Sequence, residues 1–375
     1  MKITFVLSHA GLAGGVRVVA IYARLLQQRG HEVTAISTRY RWPSRRGRAM
    51  ATMRRLARRA AGRPEPSHFN DVPVAHRALE HAGPVTDAHV PEGDVVVATW
   101  WETAPWVAAL SPSRGAKAYF MQDYGAPGQE LEDVVPTWSL PLHLITISRW
   151  LADLIVEHRG EVPISLVPNG VDLDLFHAPP RGKQPQPAVG FVYRESPVKG
   201  ADIVLEAFRL ARRSVPDLRL LTYGPMPPED ANALAAGMTF HHRPADEKLA
   251  GIYASCDAWL FASRREGFGL PILEAMACRT PVIATPAGAA PELLADGGGL
   301  VVNREDPAGM ARAIEHIAGL GDHDWRSMSE HAHATAARHT WNDATDRFEA
   351  ALYEAIERER GARHPIIDEG RRLSA

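Results

Sequence analysis

Ile3-Thr4-Phe5-Val6-Leu7 is a short run of apolar and β-branched residues, and together with residues 8–37 it decides the fold. The glycine-rich stretch Gly11-Leu12-Ala13-Gly14-Gly15 comes next. From Val16 to Arg29 the apolar residues Val18, Val19, Ile21, Tyr22, Leu25 and Leu26 recur at helical spacing. Gly30, able to take a positive φ, stops that helix. His31 to Ser37 then reads as a second strand. A strand, a helix and a strand in this order predict a parallel sheet covered by helices on both faces.

Working outward, the alternation continues. Strands are predicted at Asp94–Ala98, Lys117–Met121, His143–Ile147 and Ile164–Val167, with a helix starting at Ser148. Phe176 to Pro187 carries four prolines among polar neighbours and reads as a linker, because proline continues neither a ladder nor a helix. Beyond it lies a second alternating series, with strands at Ala188–Tyr193, Leu218–Tyr223, Ala258–Ala262, Pro281–Ala284 and Gly299–Val302. At 375 residues the chain is long enough for two domains. The division expected is a first Rossmann-like domain over 1–175, the linker 176–187 and a second such domain over 188–340. A helix over 341–360 is expected to pack back toward the first domain, and 361–375 reads as a tail.

Composition narrows the function classes. Hydrophobic residues make up 45% and charged residues 23%, which suits a packed core. The formal net charge of −2 gives no global pull toward nucleic acid. The two cysteines, Cys256 and Cys278, stand in apolar runs and read as buried thiols in a reducing compartment. No apolar stretch approaches the roughly 20 residues of a membrane span, and the N-terminal run lacks the form of a signal peptide. The expectation is a cytoplasmic protein that at most touches the inner face of a membrane. From Arg41 to Arg63 there are nine arginines and no acidic residue. If Ala49 to Ala61 is helical, Arg54, Arg55, Arg58 and Arg59 share one face, which could lie on anionic lipid, clamp an acceptor diphosphate or simply be solvated.

The chemistry concentrates in Glu266-Gly267-Phe268-Gly269-Leu270-Pro271-Ile272-Leu273-Glu274-Ala275. It lies after a predicted strand and opens a helix. The glycines let backbone approach a ligand, and Pro271 suits a first helical turn. Unpaired amides at a helix start favour a phosphate. Glu266 and Glu274 bracket that start with carboxylates suited to vicinal hydroxyls. Phosphate donors flanked by hydroxyl acceptors describe a nucleotide sugar.

This segment resembles the E-x7-E signature of retaining GT-B glycosyltransferases, in particular the large family 4. The resemblance implies an α/β fold of two facing Rossmann-like doubly wound domains (GT-B). It implies that Glu266 meets hydroxyls of the donor sugar and Glu274 those of the ribose. The amides of Phe268, Gly269 and Leu270 would hold the diphosphate. Gly190 to Gly200 is similar to the family's strand-end segment, in which Arg194 and Lys199 would grip the diphosphate. Two cations there stabilise the charge that the leaving group gains. The family usually has glycine where this chain has Tyr193. Gly14 and Gly15 match the family's first-domain loop and are expected ligand contacts. Thr285 to Glu292 matches another family loop, with Ala289 in place of a glycine. The base pocket would fall near Thr222–Pro225 and His241–Pro244.

Two departures bear on mechanism. Gln122 takes the place of a histidine that family members often carry, with Asp123 beside it. Glutamine cannot act as a base at neutral pH, so either Asp123 orients or deprotonates the acceptor or neither residue is chemical. Asp172-Leu173-Asp174 is formally a D-x-D, read as structural rather than as a metal site. The expected function is transfer of a sugar, with retention and without metal or other cofactor. The donor is a nucleotide-diphosphate sugar and the acceptor a carbohydrate or lipid-linked molecule. Trp100, Trp101, Trp106, Tyr119, Tyr124 and Trp138 are either a stacking surface for that carbohydrate or core. A sugar-nucleotide epimerase, or a binding protein without catalysis, remains the alternative on the same fold.

Overall fold

The computed structural model describes residues 1–40, 50, 52–53, 56–58, 60–63, 65–124, 131–227 and 237–363. The chain divides into two compact units. Among the described residues the first comprises those of 1–146, 152–167 and 345–363, and the second those of 147–151 and 168–344.

The first unit is built on a seven-stranded sheet of β1 (Lys2–Leu7), β2 (Glu32–Ser37), β3 (Ala75–Ala78), β4 (Val95–Ala98), β5 (Ala116–Met121), β6 (His143–Thr146) and β7 (Ile164–Leu166). Its order is β3-β2-β1-β4-β5-β6-β7, and every pairing is parallel. Val95, Val96, Val97 and Ala98 are all fully buried, as a strand covered on both faces requires. The helix Gly14–Gln28 packs its Tyr22 ring on Phe348 at 4.4 Å. Phe348 comes from the helix Trp341–Arg363 and also meets Phe5 and Phe120, so residues far apart in sequence close one core.

The second unit is built on β8 (Ala188–Val192), β9 (Arg219–Gly224), β10 (Met238–His242), β11 (Ala258–Phe261), β12 (Val282–Ala284) and β13 (Gly299–Val301). The order is β10-β9-β8-β11-β12-β13, again parallel. The order reverses beside β1 in one sheet and beside β8 in the other, which makes β1/β4 and β8/β11 the switch points where open α/β sheets bind ligands.

The predicted strands are present with ends shifted by a residue or two, while β3 and β10 were not predicted. Both are edge strands with polar, partly exposed sequences, Ala-His-Arg-Ala and Met-Thr-Phe-His-His, so no apolar run marked them. The proline-rich stretch 176–187 is part of the second unit. The Arg181 guanidinium donates to the Cys256 carbonyl (2.6 Å) and to Thr280 Oγ1 (2.9 Å), and stacks 4.6 Å from the Trp325 ring. Lys183 Nζ donates to the Leu320 carbonyl at 2.9 Å. Both cysteines are buried, and burial pushes the Cys278 thiol up to about 12. Within the Arg41–Arg63 segment the described residues 50, 52–53, 56–58 and 60 are helical, and Arg58 is exposed. Arg54, Arg55 and Arg59 lie outside the described residues.

Candidate functional site

In the second unit the switch point brings two loops together. β8 exits through Arg194 into a tight turn, Pro197–Lys199, and β11 exits through Ser263 toward Glu266. Lys199 Nζ donates to Glu266 Oε2 at 2.5 Å, and Ser263 Oγ donates to the same oxygen at 3.2 Å. Gly200 ends the turn with φ +66°, and a Cβ there would stand 2.0 Å from the Ala262 carbonyl oxygen. The two loops touch only because that side chain is absent. Arg194 is exposed.

Beyond Glu266 the chain enters the helix Leu270–Ala277, capped by Gly269 at φ +102° with Pro271 in the first turn. Pro271 has no N–H to leave unpaired there, and the helix start keeps the electropositive end that suits a phosphate. Phe268 is buried, and its carbonyl accepts the Ala289 amide at 2.8 Å. Ala289 itself has φ −83°, an ordinary value, so alanine in place of glycine costs nothing there. Ser148 Oγ and Trp150 Nε1, from the segment 147–151 of the same unit, both donate to the Gly267 carbonyl, at 2.9 and 3.0 Å. Neither stands out in the sequence, since each lies more than a hundred residues from its partner.

Glu274 is 7% exposed, one helical turn inside. Tyr253 Oη donates to Glu274 Oε2 at 2.6 Å and meets Tyr223 Oη at 2.8 Å. Burial, and the charge of Glu274, hold the Tyr253 phenol well above its ordinary range, so it remains an O–H donor. The two glutamates of the E-x7-E segment are thus held differently: Glu266 by a cation, Glu274 by a buried phenol. Near the expected base pocket, Thr222 is fully buried, and the Pro225 carbonyl accepts from His242 Nε2 and Arg243 Nε, both at 3.0 Å.

In the first unit Gly14 and Gly15 are exposed at the first turn of their helix. Gln122 is mostly buried, and its Nε2 donates to the Gly15 carbonyl at 3.2 Å, so the structure brings these two together. Asp123 Oδ1 accepts the amide of its neighbour Tyr124 at 2.8 Å. Thr103 Oγ1 accepts the amides of Thr99 and Trp100, both at 3.1 Å, which shapes the turn carrying Trp100 and Trp101. Two of the aromatic residues considered for a stacking surface are core: Tyr119 and Trp138 are fully buried. Trp100, Trp101 and Tyr124 remain partly exposed. Asp172 Oδ1 accepts the amides of Asp174 (3.0 Å) and Leu175 (3.1 Å), the geometry of a turn-forming aspartate.

Residues 186–319 match the family described as glycosyl transferases group 1. The match covers β8 through the helix after β13, and with it Arg194, Lys199, Glu266 and Glu274. A D-inositol 3-phosphate glycosyltransferase of Segniliparus rotundus is 31% identical over 213 residues, 52% of this chain and 47% of that protein. One of Mycobacterium bovis is 31% identical over 226 residues, 54% of this chain and 46% of that protein. The chain therefore spans about half the length of the curated relatives it matches. Among solved structures, Anabaena HepE in complex with UDP and glucose superposes with a TM-score of 0.69 at 18% identity, covering 94% of this chain and 100% of that one. Sucrose-phosphate synthase from Thermosynechococcus elongatus gives 0.68 at 16% identity, covering 96% and 100%. At such identities the likeness is one of fold: two Rossmann-like α/β units, the GT-B class. Among the described residues no helix is long and apolar enough to cross a membrane.

Proposed function

We propose that this protein is a retaining glycosyltransferase of the family 4 kind. It moves a sugar from a nucleotide-diphosphate donor onto a carbohydrate or lipid-linked acceptor. The observation that carries the reading is the Lys199–Glu266 contact of 2.5 Å at the β8/β11 switch point, inside the segment that matches the glycosyl transferases group 1 family. As the acceptor oxygen bonds the anomeric carbon on the face the diphosphate leaves, the bond to the diphosphate breaks, negative charge grows on the leaving group and its oxygen takes the acceptor's proton. Lys199, Arg194 and the amides of Phe268, Gly269 and Leu270 meet that charge, so the chemistry needs no metal to supply it. On donor binding Lys199 turns from Glu266 to the diphosphate, and Glu266 takes hydroxyls of the sugar. Glu274, held by Tyr253, takes the ribose hydroxyls. Gly14 and Gly15 offer backbone N–H groups to a phosphate, and Gln122 and Asp123 serve the acceptor side, with Asp123 orienting the acceptor hydroxyl.

The relatives' names make an inositol phosphate the first acceptor to try. Nucleotide sugars of the common bases are incubated with it in the presence of a chelator, and the anomeric configuration of the product is read by NMR. Product with the donor's configuration supports the proposal. Inverted product, or turnover abolished by the chelator, overturns its finer part. Contact with anionic membrane through Arg41–Arg63 belongs to the same proposal, and exposed Met50, Met53 and Leu56 are its large described apolar members. Failure to co-sediment with anionic vesicles at low salt would remove it.

A further inference from the structure

We propose that Arg264 is a positioning residue that locks the Lys199 turn to the Glu266 loop, a role that rests on the donor-site reading above. Arg264 stands one residue beyond Ser263 and two before Glu266. Its backbone amide donates to the Val198 carbonyl at 2.8 Å, inside the turn that carries Lys199. Its guanidinium has five N–H groups, and each has an acceptor. Nη1 donates to the Pro197 carbonyl and to Asp202 Oδ1 (2.9 Å). Nη2 donates to Asp202 Oδ2 (2.7 Å) and Glu305 Oε2 (2.9 Å), and Nε to Glu305 Oε1 (2.6 Å). One side chain thus joins the Lys199 turn, the first turn of the helix Ala201–Ala211 and the loop after β13.

Stability alone does not account for this cluster. The Asp202 and Glu305 side chains are 65% and 57% exposed, so water screens both pairs even though their two-pronged geometry favours them. Yet Glu305 holds φ +54°, a value that costs a non-glycine residue energy and persists only where the surroundings impose it. Geometry is what the cluster secures. Lys199 is a point charge on a flexible stem, and its value to a leaving diphosphate depends on where its turn is held. Lysine at 264 has three donors and no fork, so it cannot reproduce the five contacts.

The test compares wild type, Arg264→Lys, Arg264→Ala, Lys199→Ala and the double variant Lys199→Ala/Arg264→Ala. Donor turnover is measured alongside hydrogen exchange of the Lys199 and Arg264 amides and the melting temperature. Arg264→Ala is expected to lower kcat about 10-fold or more while KM for donor changes less, since Lys199 acts chiefly in the transition state. Arg264→Lys should restore little. In the Lys199→Ala background the Arg264→Ala change should have almost no further effect, the mark of two residues acting as one. Exchange at both amides should quicken at least several-fold. Equal effects in both backgrounds, full rescue by lysine, or unchanged exchange would each overturn the role. Should wild type turn over no donor at all, the proposed function fails, whereas the exchange result still decides whether Arg264 holds the turn.

Discussion

The two units end their central strands in different chemistry. In the second, the loops after β8 and β11 carry charge against charge: Lys199 on Glu266, and Arg264 on Asp202 and Glu305. In the first, the Gln122 amide meets the Gly15 carbonyl, and Asp123 beside it accepts the Tyr124 amide. A site for a diphosphate must hold cations ready and must keep them from collapsing in its absence, and carboxylates do both. A site for a neutral hydroxyl acceptor needs shape and hydrogen bonds more than charge. On this account the donor chemistry is pre-organised in the second unit, and substitutions there should cost more than those in the first.

The largest effect should come from Lys199→Ala, with kcat lowered roughly 100- to 1,000-fold, the range for removing one preorganised group from a developing anion. A fall no larger than that of Gln122→Ala would erase the contrast. Next is Tyr253→Phe, which leaves the buried Glu274 carboxylate without its 2.6 Å donor. It should cost about 1–3 kcal/mol of stability and weaken nucleotide binding, read by thermal melting and by titration calorimetry. Gln122→Ala and Asp123→Asn should raise the acceptor KM several-fold and leave nucleotide affinity unchanged. A change in nucleotide affinity would move these residues to the donor side.

The smallest effect expected is one of pH, in the first unit. Burial, then the charge of Arg358, lower His143 from 6.5 to about 4 against the opposing pull of Glu354. Folded His143 stays neutral where the unfolded chain takes up a proton. Stability from this residue is therefore full above about 6.5 and is lost as pH falls toward about 4. The melting temperature should drop across that window, and His143→Asn should flatten the drop.

Much of the second unit's site was legible because its signals are local. Glu266, the glycines, Pro271 and Glu274 fall within nine residues, and their spacing alone marks a helix start between two carboxylates. Lys199 and Arg194 needed the family resemblance, since a cation in a loop carries no signal by itself. Arg264 was missed because its acceptors Asp202 and Glu305 lie 62 and 41 residues away. Ser148 and Trp150 escaped for the same reason. In the first unit the sequence left the aromatic residues open between a stacking surface and core, and Tyr119 and Trp138 are core. Tyr119 lies in the apolar run Ala118 to Met121 of β5, because a central parallel strand is buried on both faces, so sequence could not tell a stacking ring from a core ring.

The central claim is that the second unit is a nucleotide-sugar site organised by Lys199, Glu266 and Glu274. Its most direct test is a thermal-shift screen against UDP, GDP, TDP, CDP and ADP and their common sugars in the presence of a chelator. A ligand bound to the folded state must raise the melting temperature. The account predicts a shift with the nucleotides of one base, diminished in Glu274→Gln and Lys199→Ala. No shift with any of them in the wild-type protein would contradict it.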